Sequence, residues 1–217
     1  MIAGVLLGGG LSKRFGAQKL LVPIGRNETL ITRAMRVCMG VPLHPLIVVV
    51  SPELVATLNQ MNEIALKPLA SLRRFALETP WGTARLVVNE TPERGMSDSL
   101  KKGMAALTES EREGGVLITL ADLPGISPET IRRLVGIYRA GEKKIVLPTY
   151  GGKTGHPVII HEPSFRERIQ SIEGDSGLRE IIRENGQDVM RVPWPDDTVV
   201  ADVDTPSDLR KILEKGC

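Results

Sequence analysis

From Ile2 to Leu21 the chain reads IAGVLLGGGLSKRFGAQKLL, an apolar run followed by a glycine-rich and cationic segment. The run Ile2–Leu7 predicts a buried β-strand. A turn made of glycines lets backbone N–H groups converge on an anion, because no Cβ blocks the approach. Three cationic side chains that can neutralise a polyphosphate follow the glycines: Lys13, Arg14 and Lys19. The segment therefore predicts a strand followed by a phosphate-binding loop.

Two common phosphate-binding loops do not fit this segment. The dinucleotide-binding pattern G-x-G-x-x-G, begun at Gly8, requires glycine where Lys13 stands. The P-loop pattern G-x-x-x-x-G-K-[ST] requires lysine after Gly16, where the chain has Ala17. The segment is therefore a phosphate loop of a third kind.

The composition indicates an ordinary globular α/β protein. The 217 residues, of which 41% are hydrophobic and 25% charged, fit a single domain over 1–217 with a full core. The net charge of +2 is too small to predict a nucleic-acid or membrane partner. An aromatic content of 3% also disfavours the stacking platforms that single-strand binders need.

Cysteine use and hydropathy together predict a cytoplasmic protein. Cys38 and Cys217 form neither a disulfide framework nor a zinc pattern, and Cys38 lies on an apolar helical face that predicts burial. No apolar run approaches the length of a membrane span. The first apolar run has no basic residues before it, so it does not resemble a signal peptide.

Strand-like runs alternate with helical patterns along the whole chain. Seven runs predict strands: Ile2–Leu7, Leu46–Val50, Arg85–Val88, Val116–Leu120, Lys144–Leu147, Pro157–Ile160 and Val189–Val192. Three helices are predicted where a hydroxyl N-cap precedes proline, at Ser51, Ser127 and Thr205. The segment 71–78 is predicted to be helical, with a turn at 79–82. The alternation predicts a three-layer, Rossmann-like α/β sandwich around a mixed, mainly parallel sheet.

Polar side chains stand where strand-like runs end. Asn89 follows Arg85–Val88, Asp122 follows Val116–Leu120, and Asp204 follows Thr198–Ala201. Open α/β sheets bind ligands beyond the carboxyl ends of their strands. A carboxylate at such a position suits Mg²⁺, although Asp122 can instead cap an Asx-turn before Pro124. Asp204 can instead be a first-turn acid of the last helix.

A family resemblance joins these motifs. Residues 7–19, LGGGLSKRFGAQK, resemble the signature L-x-x-G-x-S-x-R-[FM]-G-x-x-K of the nucleotidyltransferases that attach a nucleotide to molybdopterin. The A-D-x-P motif at Asp122 and the D-x-D-T-P-x-D motif at Asp204 also resemble motifs of that family. The resemblance implies the nucleotide-diphospho-sugar transferase-like fold. It further implies Mg²⁺ bound by Asp122 and Asp204, with Asp202 as a competitor for the role of Asp204.

The resemblance also implies how the loop binds a nucleoside triphosphate. Arg14 would serve the β and γ phosphates and Lys19 the α phosphate, so that both join Asp122 as catalytic residues. Ser12 would donate its hydroxyl to phosphate or cap the turn, and Lys13 would be a solvated charge. The remaining loop contacts implied are Gly8, Gly9 and Gly10.

Two further segments resemble binding motifs of the family. Asn89, Ser97 and Ser99 match a segment placed against the base and ribose, although a loop before a capped helix explains them equally. The G-H-P-V and G-D-x-G-x-R motifs imply that the acceptor is bound by three residues: His156, Asp175 and Arg179. In their structural alternatives, His156 is a turn residue and Asp175 is the N-cap of a helix over 178–184.

The implied reaction transfers CMP from CTP to the terminal phosphate of molybdopterin and releases pyrophosphate. The K-L-L-x-P run at 19–23 favours CTP, whereas Gly8 and Gly9 stand where the cytidylyl branch usually has two alanines, which favours GTP. Two alternatives are a nucleotidyltransferase that acts on another small phosphate acceptor and a carrier that binds molybdopterin without catalysis. An apo-molybdoenzyme or its chaperone is the implied recipient of the product.

Overall fold

The computed structural model describes residues 1–10, 12, 15–25, 28–69 and 73–214. The strands in this part of the chain are β1 (Ile2–Gly8), β2 (Leu43–Val50), β3 (Ala65–Pro68), β4 (Arg74–Thr79), β5 (Gly82–Val88), β6 (Val116–Leu120), β7 (Ile145–Tyr150), β8 (Lys153–Thr154), β9 (Val158–Ile160) and β10 (Val189–Pro193). The α-helices are α1 (Leu30–Met39), α2 (Pro52–Leu58), α3 (Met96–Ala105), α4 (Glu109–Arg112), α5 (Pro128–Ala140), α6 (Glu162–Ser171), α7 (Arg179–Glu184) and α8 (Pro206–Glu214).

The strands form one mixed sheet in the order β10-β7-β9-β6-β1-β2-β5-β4-β3, with β8 paired to β7. The central strands β6, β1, β2 and β5 are all parallel neighbours. Antiparallel pairing is confined to β9, which lies between β6 and β7, and to the hairpins β7–β8 and β3–β4–β5. The predicted mixed, mainly parallel sheet is therefore confirmed.

Alternate side chains of β1 enter two different hydrophobic cores. Ile2 and Leu6 pack into a core that also contains residues of α1, α2, α5 and α8. Ala3, Val5 and Leu7 pack into the other core, with residues of α3, α6 and α7. Because successive strand residues face opposite sides of a sheet, helices cover both faces, and the predicted three-layer sandwich is confirmed. Cys38 is buried in the first core, as predicted.

All seven runs predicted as strands from Ile2–Leu7 to Val189–Val192 are present, with ends that differ from the prediction by at most three residues. The predicted helix caps are confirmed as well. Ser51 accepts a hydrogen bond from the Leu54 N–H, and Ser127 accepts one from the Thr130 N–H. Thr205 forms a reciprocal cap with Asp208 at the start of α8.

Two local predictions are wrong. The segment 71–78 is predicted to be helical, but Arg74–Thr79 forms β4, because pairing with β5 buries Leu77 completely. Residues 71 and 72 of that prediction lie outside the described residues. The predicted turn at 79–82 is confirmed and closes this hairpin. The run Thr198–Ala201 is not a strand. A single 3₁₀ turn at Asp197–Val199 replaces it, where Asp196 accepts a hydrogen bond from the Thr198 N–H.

In the part of the chain that the structure describes, the helices are too short or too polar to cross a bilayer.

Candidate active site

Three charged side chains meet at the carboxyl edge of the central strands. Lys19 lies in a single 3₁₀ turn (Lys19–Leu21) after the glycine loop, Asp122 lies two residues beyond the end of β6, and Asp204 lies two residues before α8. The Lys19 Nζ atom is 2.6 Å from Asp122 Oδ2 and 3.0 Å from Asp204 Oδ1. The Val203 N–H donates to the Asp122 carbonyl at 3.0 Å, so the two acidic segments are tied to each other. We call these three side chains the Lys19 cluster.

The electrostatics of the Lys19 cluster keep the lysine charged. The side chains of Lys19 and Asp122 are mostly buried, and that of Asp204 is 39% exposed. Burial acts to lower the pKa of Lys19, but the charges and hydrogen bonds of Asp122 and Asp204 outweigh burial, and the net effect raises the pKa above its ordinary value. Burial raises the pKa of Asp202, and the nearby charges of Asp204 and Asp122 raise it further.

The residues of the Lys19 cluster fit a divalent metal. Asp122 Oδ1 is buried and has no hydrogen-bond partner among the described residues, so it retains an unused acceptor. The Lys19 ammonium already shows that one cation can contact both Asp122 and Asp204. No group of three or more His, Cys, Asp or Glu residues able to hold a metal occurs in the described ranges. Two carboxylates completed by substrate oxygens are a usual arrangement for Mg²⁺.

The glycine loop and the Lys19 cluster border one cleft, which we call the glycine-loop cavity. It comprises two adjoining spaces of about 270 and 350 Å³ that share Leu7, Gly10, Ser12, Asp122 and Asp175. The other loop residues predicted to bind phosphate also line it: Gly8, Gly9 and Lys19. Lys13, Arg14 and Cys217 lie outside the described residues, and their roles stay predictions.

The Ser12 hydroxyl forms hydrogen bonds with the turn at Gln18 and Lys19. It donates to Gln18 Oε1 at 3.0 Å and accepts from the Lys19 N–H at 3.1 Å. These contacts correspond to the capping alternative, although Ser12 also lines the cavity. The hydroxyl therefore orients the turn that carries Lys19.

Of the three residues predicted to contact the base and ribose, Ser99 lines the glycine-loop cavity and the other two do not. Ser99 lines the glycine-loop cavity and accepts a hydrogen bond from Asn89 Nδ2 at 2.8 Å. Asn89 is fully buried behind Ser99 and is not among the lining residues. Ser97 is also buried, and its hydroxyl has no hydrogen-bond partner in the described part of the chain.

Asn89 belongs to a polar network that we call the Lys102 cluster: Asn89, Thr91, Asp98 and Lys102. Lys102 Nζ contacts Asn89 Oδ1 at 2.6 Å, Thr91 Oγ1 at 2.6 Å and Asp98 Oδ2 at 2.7 Å. Sequence reasoning missed this network. The spacing of Asp98 and Lys102, four residues apart on one helix, was the available signal.

A second cavity of about 540 Å³ adjoins the first, and we call it the His156 cavity. His156 and Arg179 line it, as do Lys153 and a floor of apolar residues that includes Leu120. Burial lowers the pKa of His156, against the opposing effects of the Ile118 backbone and the Asp122 charge. His156 Nδ1 is buried without a partner in the described part of the chain.

Asp175 lies apart from His156 and Arg179. Its side chain lines the glycine-loop cavity and not the His156 cavity. It does not cap α7, whose N-cap residue is Leu178 and which has no side-chain cap. Instead, Asp175 Oδ1 accepts a hydrogen bond from the Met96 N–H at the start of α3. The predicted acceptor-binding set is therefore divided between the two cavities.

Comparison with known proteins places the chain among nucleotidyltransferases. Nicotine blue oxidoreductase of Paenarthrobacter nicotinovorans is 28% identical, over 98% of this chain and 96% of its own length. A probable molybdenum cofactor guanylyltransferase of Mycolicibacterium paratuberculosis is 24% identical, over 98% of this chain and 95% of its own. The crystal structure of Rv0371c from Mycobacterium tuberculosis H37Rv in complex with manganese is 26% identical, with a TM-score of 0.73 and 98% of each chain covered.

The family model described as MobA-like NTP transferase domain matches residues 4–189, which include the glycine loop, Asp122, His156 and Asp175. This match and the sheet topology agree on the nucleotidyltransferase fold implied by the glycine loop. The chain belongs to the MobA-like NTP transferase domain family.

Proposed function

We propose that this protein transfers a nucleoside monophosphate from a nucleoside triphosphate to the terminal phosphate of a molybdopterin-type acceptor and releases pyrophosphate. The observation that carries the proposal is the Lys19 cluster, whose lysine and two carboxylates face the same cavity as the glycine loop. Such a cavity suits a polyanion accompanied by a divalent cation. The name of the molybdenum cofactor guanylyltransferase relative supports the same reaction class.

The reaction requires no general base. An anionic oxygen of the acceptor phosphate attacks the α phosphorus, a new P–O bond forms, and the bond from the α phosphorus to the pyrophosphate oxygen breaks. Because the nucleophile is already ionised, catalysis rests on positioning and charge neutralisation. Lys19 would neutralise charge on the α phosphate, and the backbone of Gly8, Gly9 and Gly10 would hold the phosphate chain. Arg14 is proposed to serve the β and γ phosphates.

Asp122 and Asp204 would hold Mg²⁺. Bound there, the ion would supply neutralisation of the phosphate oxygens and a fixed template for both substrates. The unused Asp122 Oδ1 supports this assignment, as does the manganese in the related Mycobacterium tuberculosis structure.

The acceptor is proposed to bind in the His156 cavity. The apolar floor suits a flat ring system, and Lys153 and Arg179 at its wall suit an anion. His156 Nδ1 offers a buried hydrogen-bonding group that no described residue uses. The two cavities meet at Leu7 and Leu120, so a phosphate at their junction would lie next to the Lys19 cluster.

CTP is the proposed nucleotide, on the K-L-L-x-P run at 19–23. GTP is the second candidate, because curated relatives bear the name guanylyltransferase. Glu93 lines the glycine-loop cavity near Ser99. A carboxylate there can accept from N4 of cytosine or from N2 of guanine, so this position is compatible with both bases.

Product analysis tests the proposal. The protein is incubated with Mg²⁺, a molybdopterin preparation and either CTP or GTP labelled at the α phosphate, and the products are separated by chromatography. A labelled dinucleotide and pyrophosphate are expected with CTP, whereas product with GTP alone would reassign the base. If a parallel sample with a sugar phosphate becomes labelled and the molybdopterin sample does not, the acceptor is a sugar phosphate and not molybdopterin. Molybdopterin bound without any transfer of label would support the carrier alternative.

A further inference from the structure

We infer that Asp175 is a positioning residue that fastens the segment beside the His156 cavity to the helix beside the glycine-loop cavity, so that nucleotide binding orders the acceptor side. The inference rests on the proposed function, because it assigns the two cavities to two substrates. It reassigns Asp175 from contact with the acceptor to the coupling of the two sites.

The contact is a helix cap supplied by a distant segment. Asp175 Oδ1 accepts from the Met96 N–H at 3.1 Å, and the Gly174 carbonyl accepts from the Ser97 N–H at 3.0 Å. Asp175 and Met96 are 79 residues apart in sequence. Gly95, the N-cap residue of α3, provides no side chain. The first N–H groups of this helix therefore depend on the segment around Asp175.

The close approach requires glycine at position 95, and the backbone conformation favours glycine at position 177. Gly95 has a φ of +89°, and a Cβ on it would lie 2.6 Å from Asp175 Oδ1 and from the Gly174 backbone. Gly177 has a φ of +53°, and a Cβ on it would lie 3.1 Å from the sulfur of Met96. Both values favour glycine, so the backbone is shaped for this contact from either side.

Each side of the contact borders a different cavity. Gly95 and Ser99 line the glycine-loop cavity, whereas Gly177 and Arg179 line the His156 cavity. Met96 lines both. A ligand that fixes the start of α3 therefore also favours the closed contact, and the closed contact fixes the backbone before Arg179. The hydrogen bond of Asp175 is exposed to solvent, so it can open and close without disturbing a core.

Hydrogen exchange with the complete protein tests the coupling and needs only Mg²⁺ and a nucleotide. Exchange is followed in peptides covering residues 2–10, 96–104 and 176–184, with CTP and with GTP in separate samples. In the wild type, nucleotide should slow exchange in all three peptides. In Asp175→Ala, residues 2–10 should remain protected, whereas the protection of 176–184 and of the first turn within 96–104 should fall about fivefold, the equilibrium effect of losing one helix cap.

Two further variants keep the test specific. Asp175→Asn retains an acceptor oxygen and should restore the protection of 176–184. Gly95→Ala places a methyl group against Asp175 and Gly174 and should abolish the protection of 176–184. Two outcomes would overturn the coupling but not the proposed function. One is full protection of 176–184 in Asp175→Ala. The other is a wild type in which nucleotide protects residues 2–10 but does not protect 176–184. No protection of residues 2–10 with either nucleotide would overturn the proposed function and, with it, the coupling.

Discussion

The Lys19 cluster and the Lys102 cluster each hold a lysine ammonium against side-chain oxygen atoms, but they differ in how completely their polar groups are paired. In each, a lysine ammonium contacts oxygen atoms at 2.6–3.0 Å, close to the end of a parallel strand. In the Lys102 cluster, the amide of Asn89 uses both its donor and its acceptor within the network. In the Lys19 cluster, Asp122 Oδ1 is left without a partner in the described part of the chain.

This difference indicates that the Lys102 cluster stabilises the fold, whereas the Lys19 cluster retains an unpaired atom that a ligand can use. Burial acts to raise the pKa of Asp98, but hydrogen bonds from Lys102 and Thr91 outweigh it and lower the pKa, so the ionised network is internally stabilised. A buried acceptor without a partner carries a free-energy cost that a ligand can relieve. Asp122 has such an acceptor and faces a cavity, whereas Asn89 is sealed behind Ser99. The two clusters therefore differ in the pairing of their buried polar atoms as well as in residue type.

The largest expected effect separates the clusters by activity. Asp122→Asn should reduce kcat roughly 10²–10³-fold, because a group that stabilises charge in the transition state is lost. Asp98→Asn, the matched change in the Lys102 cluster, should change kcat far less. Steady-state kinetics on both variants, with circular dichroism to verify folding, make the comparison. Equal losses in the two variants would mean that the clusters do not differ in role.

Removing each lysine should separate the clusters by their response to metal. Lys19→Met leaves Asp122 facing Asp204, and Lys102→Met leaves Asp98 without its cation, so each should lose about 1–3 kcal/mol of unfolding free energy. Mg²⁺ should restore the stability of Lys19→Met, by about 2.7 kcal/mol at 100 times its Kd, and leave Lys102→Met unchanged. Urea unfolding with and without Mg²⁺ measures both. Recovery of Lys102→Met by Mg²⁺ would contradict the distinction.

The glycine loop beside the Lys19 cluster approaches the Lys102 cluster where Gly9 passes Ser99, the hydrogen-bond partner of Asn89, and a single methyl group tests that approach. A Cβ at Gly9 would lie 2.6 Å from Ser99 Oγ. Gly9→Ala should therefore shift the loop and weaken nucleotide binding by about tenfold, equivalent to the lower end of an overpacking cost of 1–3 kcal/mol. Adding Ser99→Ala should recover part of the loss. Calorimetric titration of the single and double variants gives the answer, and strictly additive effects would rule out the contact as the cause.

The smallest expected effect belongs to an ion pair outside both clusters. Arg85 donates to both carboxylate oxygens of Glu111, at 2.9 and 2.7 Å, and these hydrogen bonds lower the pKa of Glu111 to about 2. A depressed pKa stabilises the folded state above the ordinary value near 4.5, and this stability is lost as the pH falls toward 2. Because Arg85 is partly exposed, the expected loss is roughly 0.5–1 kcal/mol.

Glu111→Gln should remove that pH dependence. Its unfolding free energy should be lower than that of the wild type at pH 7 and equal to it near pH 2, with little change in kcat at pH 7. Denaturant unfolding across this range checks the prediction. A difference that persists unchanged at pH 2 would assign the effect to packing and not to charge.

Local signals predicted much of the fold and one part of the site. The apolar run of β1, the glycines after it and the capped starts of α2, α5 and α8 are each encoded within a few neighbouring residues. The hairpin strand β4 was mistaken for a helix, because its pairing with β5 is a tertiary contact that local propensity does not report.

Contacts between distant segments account for what sequence reasoning missed at the site. Asp175 reaches Met96 across 79 residues, and Lys102 gathers oxygens from Asn89 and Thr91 on another segment. Family resemblance grouped Asp175 with His156, because the G-D-x-G-x-R and G-H-P-V motifs both resemble acceptor-side motifs. In the structure, the segment that carries Asp175 packs on the start of α3, so Asp175 lies apart from His156.

Thermal unfolding of the wild type and Asp122→Asn with Mg²⁺ and a nucleoside triphosphate tests the central claim most directly. At 100 times its Kd, a nucleotide adds about 2.7 kcal/mol, which for a chain of this size raises the Tm by roughly 5–10 °C. We expect that rise with CTP in the wild type and its loss in Asp122→Asn. An unchanged Tm with CTP, GTP, ATP and UTP, or an equal rise in both proteins, would contradict a metal–nucleotide site at the Lys19 cluster.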